Sequence, residues 1–223
     1  MFSCLNMLDL SSISGYFPVN MRIKIPISAF LRVLGFVMVM VTMTGSHAET
    51  ALATVQVRNQ EWAVPVPLEG VPNLHKITNA IYRSAQPEVM GMKNLAKLNI
   101  KTVINLRGFH DDKDEMEGIG LRRVDVPIDT WDVNDDQIIR VMKELAKTEN
   151  SPFLIHCRHG ADRTGLMSAM YRIIYQGWSK EKALDEMKNG GYGYHTMWAN
   201  IITYIEKADI EKLKKNIQPS VGK

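Results

Sequence analysis

Cysteine is almost absent from this chain, with only Cys4 and Cys157 among 223 residues. That excludes the small disulfide-stapled scaffolds, which need several paired cysteines. Net charge is also scarce. The formal balance is +3 at pH 7, too even to suggest a nucleic-acid-binding surface. Long apolar runs are confined to Val33–Met43, eleven residues that are too few to span a bilayer comfortably. No internal repeat is present, which argues against a solenoid. The length suits one domain with an ample core, or one domain behind a processed leader.

What is present begins with that leader. A basic stretch opens at Met21-Arg22-Ile23-Lys24 and closes at Arg32, the apolar run follows, and Gly45-Ser46-His47-Ala48 supplies small residues for cleavage. Residues 1–48 read as a secretory signal peptide cut after Ala48. Residues 1–20 carry no basic residue and one acid, Asp9, so Met21 is expected to be the true start, the alternative being a long leader. No cysteine follows the cleavage site that could carry a lipid, and no stable membrane anchor is expected. The leader holds Arg22, Lys24, Arg32 and Asp9, so a mature chain keeps 24 basic and 23 acidic residues and is almost neutral. It also keeps Cys157 as its single thiol, which leaves no partner for an internal disulfide. The leader is expected to export the chain.

After the leader, residues 49–72 have no helical period and carry Pro65, Pro67 and Pro72, as in an extended entry segment. Residues 73–216 are expected to form the domain, with 217–223 as a tail. Short strands are predicted at Ile81-Tyr82-Arg83, Thr102–Leu106, Leu121–Val126 and Pro152–His156. Helices are predicted from Pro87 or Glu88 to Leu98, from a cap at Asn134 or Asp135 to Thr148, and through an apolar segment to Gln176. Gly177 ends that last helix, Ser179 caps the next, Gly190-Gly191 closes it, and a final helix spans Thr196 to about Lys215. Strands alternating with helices imply an α/β single domain with a largely parallel central sheet flanked by helices. The acidic run from Asp111 to Glu117 reads as a solvated loop or short helix and not as a metal site.

The segment His156-Cys157-Arg158-His159-Gly160-Ala161-Asp162-Arg163-Thr164-Gly165 lies between the last predicted strand and the apolar helix. A strand–loop–helix of this kind points backbone N–H groups and a helix dipole at an anion. The same dipoles favour a Cys157 thiolate. Arg163, at the helix start, has a planar fork that matches two phosphate oxygens. Gly160 permits the turn and a close ligand approach, and Thr164 can donate a hydrogen bond to the sulfur and ease its departure from phosphorus. The chance of these residues falling at these spacings is on the order of one in a million by average usage.

This segment resembles the Cys-X5-Arg signature of the protein tyrosine phosphatases. Further stretches are similar to the periplasmic, TpbA-like dual-specificity phosphatases of Gram-negative bacteria: Tyr82-Arg83-Ser84-Ala85-Gln86-Pro87, Lys101-Thr102-Val103, Ala169-Met170-Tyr171-Arg172-Ile173, Gln176-Gly177-Trp178 and Ala183-Leu184-Asp185-Glu186-Met187. The resemblance covers roughly residues 75–210. It implies a dual-specificity phosphatase-like fold and attack by Cys157 on phosphorus to form a phosphocysteine. The equatorial oxygens would be held by Arg163 and the N–H groups of Arg158, His159, Gly160, Ala161, Asp162 and Arg163. It implies no metal and no cofactor. The family's general acid is an aspartate on a mobile loop before the cysteine. Asp132 is favoured because Trp-Asp-Val-Asn-Asp-Asp can be matched to that loop, and Asp129 is the alternative acid.

The remaining candidates have plainer readings. His156 would shape the loop by hydrogen bonding, and Arg158 and His159 would flank the pocket mouth. An acid at Asp162 would disfavour polyanionic substrates if it faces the pocket. His195, Tyr192 and Tyr194 belong to a loop that could form a rim, and Arg83 and Arg107 read as structural ion-pair partners. The expected activity is hydrolysis of phosphotyrosine in a phosphorylated protein, one candidate being a periplasmic domain of a membrane protein. Phosphoserine and phosphothreonine would be tolerated if the cleft is shallow. The alternatives are a phosphatase of phospholipid, lipid A or inositol phosphate, and a phosphate-binding pseudophosphatase. Sulfur transferases and arsenate reductases share a cysteine loop, but the former needs no acid loop and the latter needs redox cysteines that are lacking here.

Overall fold

The computed structural model describes residues 58–218. The predicted leader, the start at Met21, the first part of the entry segment (49–57) and the end of the tail lie outside the described residues. The sheet has six strands: β1 (Val64–Pro65), β2 (His75–Lys76), β3 (Ile81–Ser84), β4 (Thr102–Asn105), β5 (Arg122–Asp125) and β6 (Phe153–His156). Their order is β1-β2-β3-β6-β4-β5. The last four of these run parallel, and β1 and β2 form an antiparallel extension at one edge.

The sequence of β6, Phe-Leu-Ile-His, is buried at every position. A central parallel strand covered on both faces reads this way. Period-two alternation divides its side chains: Phe153 and Ile155 join the larger core with Ile81 and Ile104, while Leu154 joins Tyr82 and Val103 in a smaller one. Helix α1 (Val89–Lys97) packs Met92 and Leu95 into the smaller core. The larger core takes α2 (Asp135–Leu145), α3 (Asp162–Gln176), α4 (Lys180–Asn189), α5 (Ala199–Lys207) and α6 (Ile210–Ile217). Asn134 and Gln137 form a reciprocal capping box at the start of α2. Gly177, at φ +68°, ends α3.

The structure corrects the single helix predicted from Thr196. Asp209 accepts from the Lys212 amide, so the chain breaks at Ala208 and restarts as α6. Helix α2 also stops at Leu145, short of Thr148, where a 3-10 turn (Thr148–Asn150) begins. Two short strands, β1 and β2, occupy ground read as extended or unassigned. The acidic run is not wholly solvated, because Asp112 is buried. Arg83 and Arg107 make no carboxylate ion pair among the described residues.

Candidate active site

Strand β6 ends at His156, so Cys157 sits at the carboxyl end of the central parallel strand with both neighbours, β3 and β4, beside it. This is where an open α/β sheet places its ligand. Cys157 is 2% exposed, at the floor of the loop that leads into α3. The N-terminus of α3 has no side-chain cap, since its N-cap residue is Ala161. Its first N–H groups and its dipole therefore stay available to an anion.

Three outward hydrogen bonds set the orientation of the loop. The Arg158 carbonyl accepts from the Gln86 amide at 3.2 Å, the His159 carbonyl from Asn73 Nδ2 at 3.0 Å, and the Gly160 carbonyl from Arg83 Nη2 at 2.7 Å. In a trans peptide the N–H points opposite to the carbonyl. With those three carbonyls drawn outward, the amides of His159, Gly160 and Ala161 face the loop interior. Gly160 has φ +70°, and a Cβ there would lie 2.5 Å from the Ala85 nitrogen. Only glycine lets the loop lie this close to the end of β3.

Arg83, read from sequence as an ion-pair partner, is instead a buried prop for the loop. Its guanidinium lies 3.6 Å from the centroid of the Tyr192 ring while Nη2 holds Gly160. Burial pulls its pKa down to about 10, although Tyr192, Glu186 and Cys157 all favour its charged form. It therefore stays cationic at neutral pH, with Cys157 within its field.

Arg163 Nη1 reaches the carbonyls of Leu106 at 3.4 Å and Ile128 at 3.3 Å. Both are long, weak bonds at the exits of β4 and β5, so they hold the side chain in place without neutralising its charge. Thr164 is buried, and its hydroxyl has no hydrogen-bond partner among the described residues. The expected bond to the Cys157 sulfur is not formed, and the hydroxyl hydrogen is unclaimed by any other group.

Behind the loop, His156 Nε2 lies 2.7 Å from Asp112 Oδ2, and both side chains are fully buried. Gln86 Nε2 donates to Asp112 Oδ1 at 2.8 Å, and Arg107 Nη1 donates to Gln86 Oε1 at 2.8 Å. Burial alone would raise the Asp112 carboxyl, but the His156 contact, the Gln86 donor and His110 outweigh it, and the pKa lies below the usual value.

The two acid candidates share one tight turn. The Asp132 amide donates to the Asp129 carbonyl at 3.0 Å, and the two residues form an isolated bridge. Asn200 Nδ2 fixes the Thr130 carbonyl at 2.8 Å. The Asp129 carboxylate packs against Gly108, 3.1 Å from where a Cβ would sit. Asp132 is exposed, with no side-chain partner among the described residues. Asp162, by contrast, is buried and tied to His195 by the backbone amide (2.9 Å) and the ring Nδ1 (2.8 Å). Its charge is thus engaged sideways, which weakens the sequence argument that it repels polyanions.

The family model described as the tyrosine phosphatase family matches residues 71–221, more than half of the chain. The chain belongs to the tyrosine phosphatase family. It is similar to the dual specificity protein phosphatase TpbA of Pseudomonas aeruginosa, with 35% identity over 169 residues, covering 75% of each chain. The crystal structure of that protein matches with a TM-score of 0.65 at 34% identity, over 71% of this chain and 98% of the other. An inositol diphosphatase of Arabidopsis thaliana is 26% identical over 156 residues, covering 65% of this chain and 73% of its own.

As a cysteine-dependent phosphoric monoester hydrolase of this family, the chain uses a loop whose motif was legible but whose supports were not. Asn73 and Asp112 carry no motif, and Gln86 lies in a stretch that showed a family resemblance but no role. Asn73 left one faint signal, its residue type, because asparagine tolerates the φ of +55° that it adopts better than most residues. Asp112 was hidden because nothing local separates it from the neighbouring acids. Its burial depends on His156, 44 residues away.

Proposed function

We propose that this protein is an exported phosphatase that hydrolyses phosphotyrosine in proteins, and phosphoserine or phosphothreonine where the cleft admits them. The reading is carried by one observation: the carbonyls of Arg158, His159 and Gly160 are bound from outside the loop that follows Cys157, which turns the amides of His159, Gly160 and Ala161 toward its interior. The relative TpbA is named a dual specificity phosphatase, and a solved structure of a TpbA variant holds pTyr. The apolar leader motivates the assignment to the periplasm, and a phosphorylated periplasmic domain of a membrane protein is the proposed substrate. No helix among the described residues is long and apolar enough to cross a membrane.

The chemistry runs in two displacements. The Cys157 thiolate forms an S–P bond as the tyrosyl oxygen leaves, and Asp132 gives that oxygen its proton. Charge gathers on the equatorial oxygens, where the fixed amides and the Arg163 fork stabilise it without reorganising. Water then attacks phosphorus, the Asp132 carboxylate takes its proton, and the S–P bond breaks to return the thiolate and free phosphate. Thr164 donates its unclaimed hydroxyl hydrogen to the departing sulfur. Asp132 is assigned the acid because its exposed carboxylate is free to meet a leaving group, whereas that of Asp129 packs against Gly108.

The test is a panel of phosphotyrosine peptides, phosphoserine peptides, phospholipids and an inositol diphosphate assayed side by side without metal. Phosphotyrosine peptides are expected to give the highest kcat/KM. Asp132→Asn should lower kcat on alkyl phosphates by about a hundredfold or more. Preference for the lipid or the inositol diphosphate would replace the protein-substrate reading. A larger loss in Asp129→Asn than in Asp132→Asn would move the acid.

A further inference from the structure

We propose that His159, Asp162 and His195 bind a divalent transition-metal ion of the zinc class at the mouth of the phosphate loop, and that the bound ion slows the phosphatase. His159 and Asp162 belong to the loop itself, and His195 reaches them from the loop that follows α4. Each residue offers one ligand atom, and the three atoms lie within 4.8 Å of one another.

Two separations are near those of a tetrahedral centre, and the ligand atoms, which lie within 4.8 Å of one another, close in on the ion as it binds. Zinc–nitrogen bonds near 2.05 Å at tetrahedral angles put ligand atoms about 3.3 Å apart and the centroids of two bound imidazoles about 5.2 Å apart. The rings of His159 and His195 have centroids 5.4 Å apart. His195 Nδ1 stands 2.8 Å from Asp162 Oδ2, a hydrogen-bond distance. Replacing the shared proton by the ion requires that gap to open by about half an ångström.

The surroundings hold these ligands in place. Asn73 Nδ2 donates to the carbonyls of both His159 and Tyr192, each at 3.0 Å, and so ties the two ligand-bearing loops together. The His195 backbone amide bonds Asp162 Oδ1 at 2.9 Å, which orients the carboxylate as outer partners of metal ligands do. Two imidazoles and one carboxylate suit zinc and its neighbours better than magnesium or calcium. Three protein ligands leave a fourth position open. The released phosphate can fill it and leave more slowly, and the ion braces Gly160 and Ala161 between two of its own ligands. The slowing rests on the proposed phosphatase activity. Metal binding does not.

Zinc binding is measured on untagged protein by competition with a chromophoric chelator, in a Cys157→Ser background so that the catalytic sulfur is not a ligand. One Zn2+ per chain is expected, with affinity falling at least about tenfold on adding His195→Ala. Adding His110→Ala instead should leave it unchanged, although His110 lies in a second cluster with Asp112 and Glu115. No zinc binding in Cys157→Ser, equal affinity after His195→Ala, or loss only with His110→Ala would each overturn the site. In wild-type protein Zn2+ should slow phosphate release reversibly, with His195→Ala at least tenfold less sensitive. Equal sensitivity of the two proteins would overturn the slowing. The binding arm needs no turnover, so its failure is distinguishable from failure of the phosphatase reading.

Discussion

Asp112 shows how much of the site rests on a residue that does no chemistry. Its carboxylate, fully buried, faces His156, the residue immediately before the proposed nucleophile. The folded-state pKa lies below the ordinary value near 4. The stability it contributes is therefore complete above that ordinary value and is lost as pH falls through the lower folded value. Asp112→Asn is expected to cost about 1–3 kcal/mol at neutral pH and to flatten the fall in stability below about pH 4. Urea unfolding across a pH series reads both effects. As a positioning residue it should also lower kcat more than it changes KM. Gly160 and Arg83 belong to the same scale. Glycine's place in the loop was legible from the motif, while the reason for it, the close approach to Ala85, needed the third dimension.

Elements explain why the loop is stiff. Helix α3 carries Arg172 two turns and more beyond the phosphate loop, and α4 carries Glu186. Arg172 grips Glu186 with Nε at 2.8 Å and Nη2 at 2.9 Å, both side chains being 4% exposed. Glu186 also accepts from the Ala63 amide at 2.7 Å and the Tyr192 hydroxyl at 3.0 Å. That joins the entry segment, α3, α4 and the loop after α4 at one carboxylate. Burial opposes the Glu186 charge, yet Arg172 and the other donors hold its pKa low. Removing it would leave the buried Arg172 charge without its carboxylate, although Gln176 and the Glu61 carbonyl still accept from the guanidinium. Glu186→Ala is expected to cost about 3–5 kcal/mol, seen as a lower urea midpoint with an unchanged slope.

The same scale shows what the sequence could and could not convey. Strands β3, β4 and β6 were legible because parallel, doubly covered strands write themselves as short, largely apolar runs. The half-exposed edge strand β5, Arg-Arg-Val-Asp, was legible only from its flanks, Leu121 and Val126-Pro127. Helix α3 was legible because it is apolar nearly all round. The break before α6 was missed even though Asp209 is a good N-cap. The apolar period runs through from Ile205 to Leu213, and that continuity masks the cap. Strands β1 and β2 were missed because two residues are too few for any period to show.

At the scale of the whole molecule, the parallel sheet places the thiol at the carboxyl end of its central strand, and helix α3 begins at the proposed phosphate site. Everything else fixes the loop between them: β3 through Arg83 and the Gln86 amide, the β1–β3 edge through Asn73, and the acidic turn through Asp112. In the proposed mechanism Cys157 becomes covalently phosphorylated and turnover passes through it. Rapid acid quenching of the protein during turnover of a 32P-labelled phosphotyrosine peptide tests this most directly. The prediction is label on Cys157 in wild-type protein without added metal, and neither label nor phosphate release in Cys157→Ser. Phosphate release that persists in Cys157→Ser, or turnover in wild type with no labelled cysteine at any quench time, would contradict it.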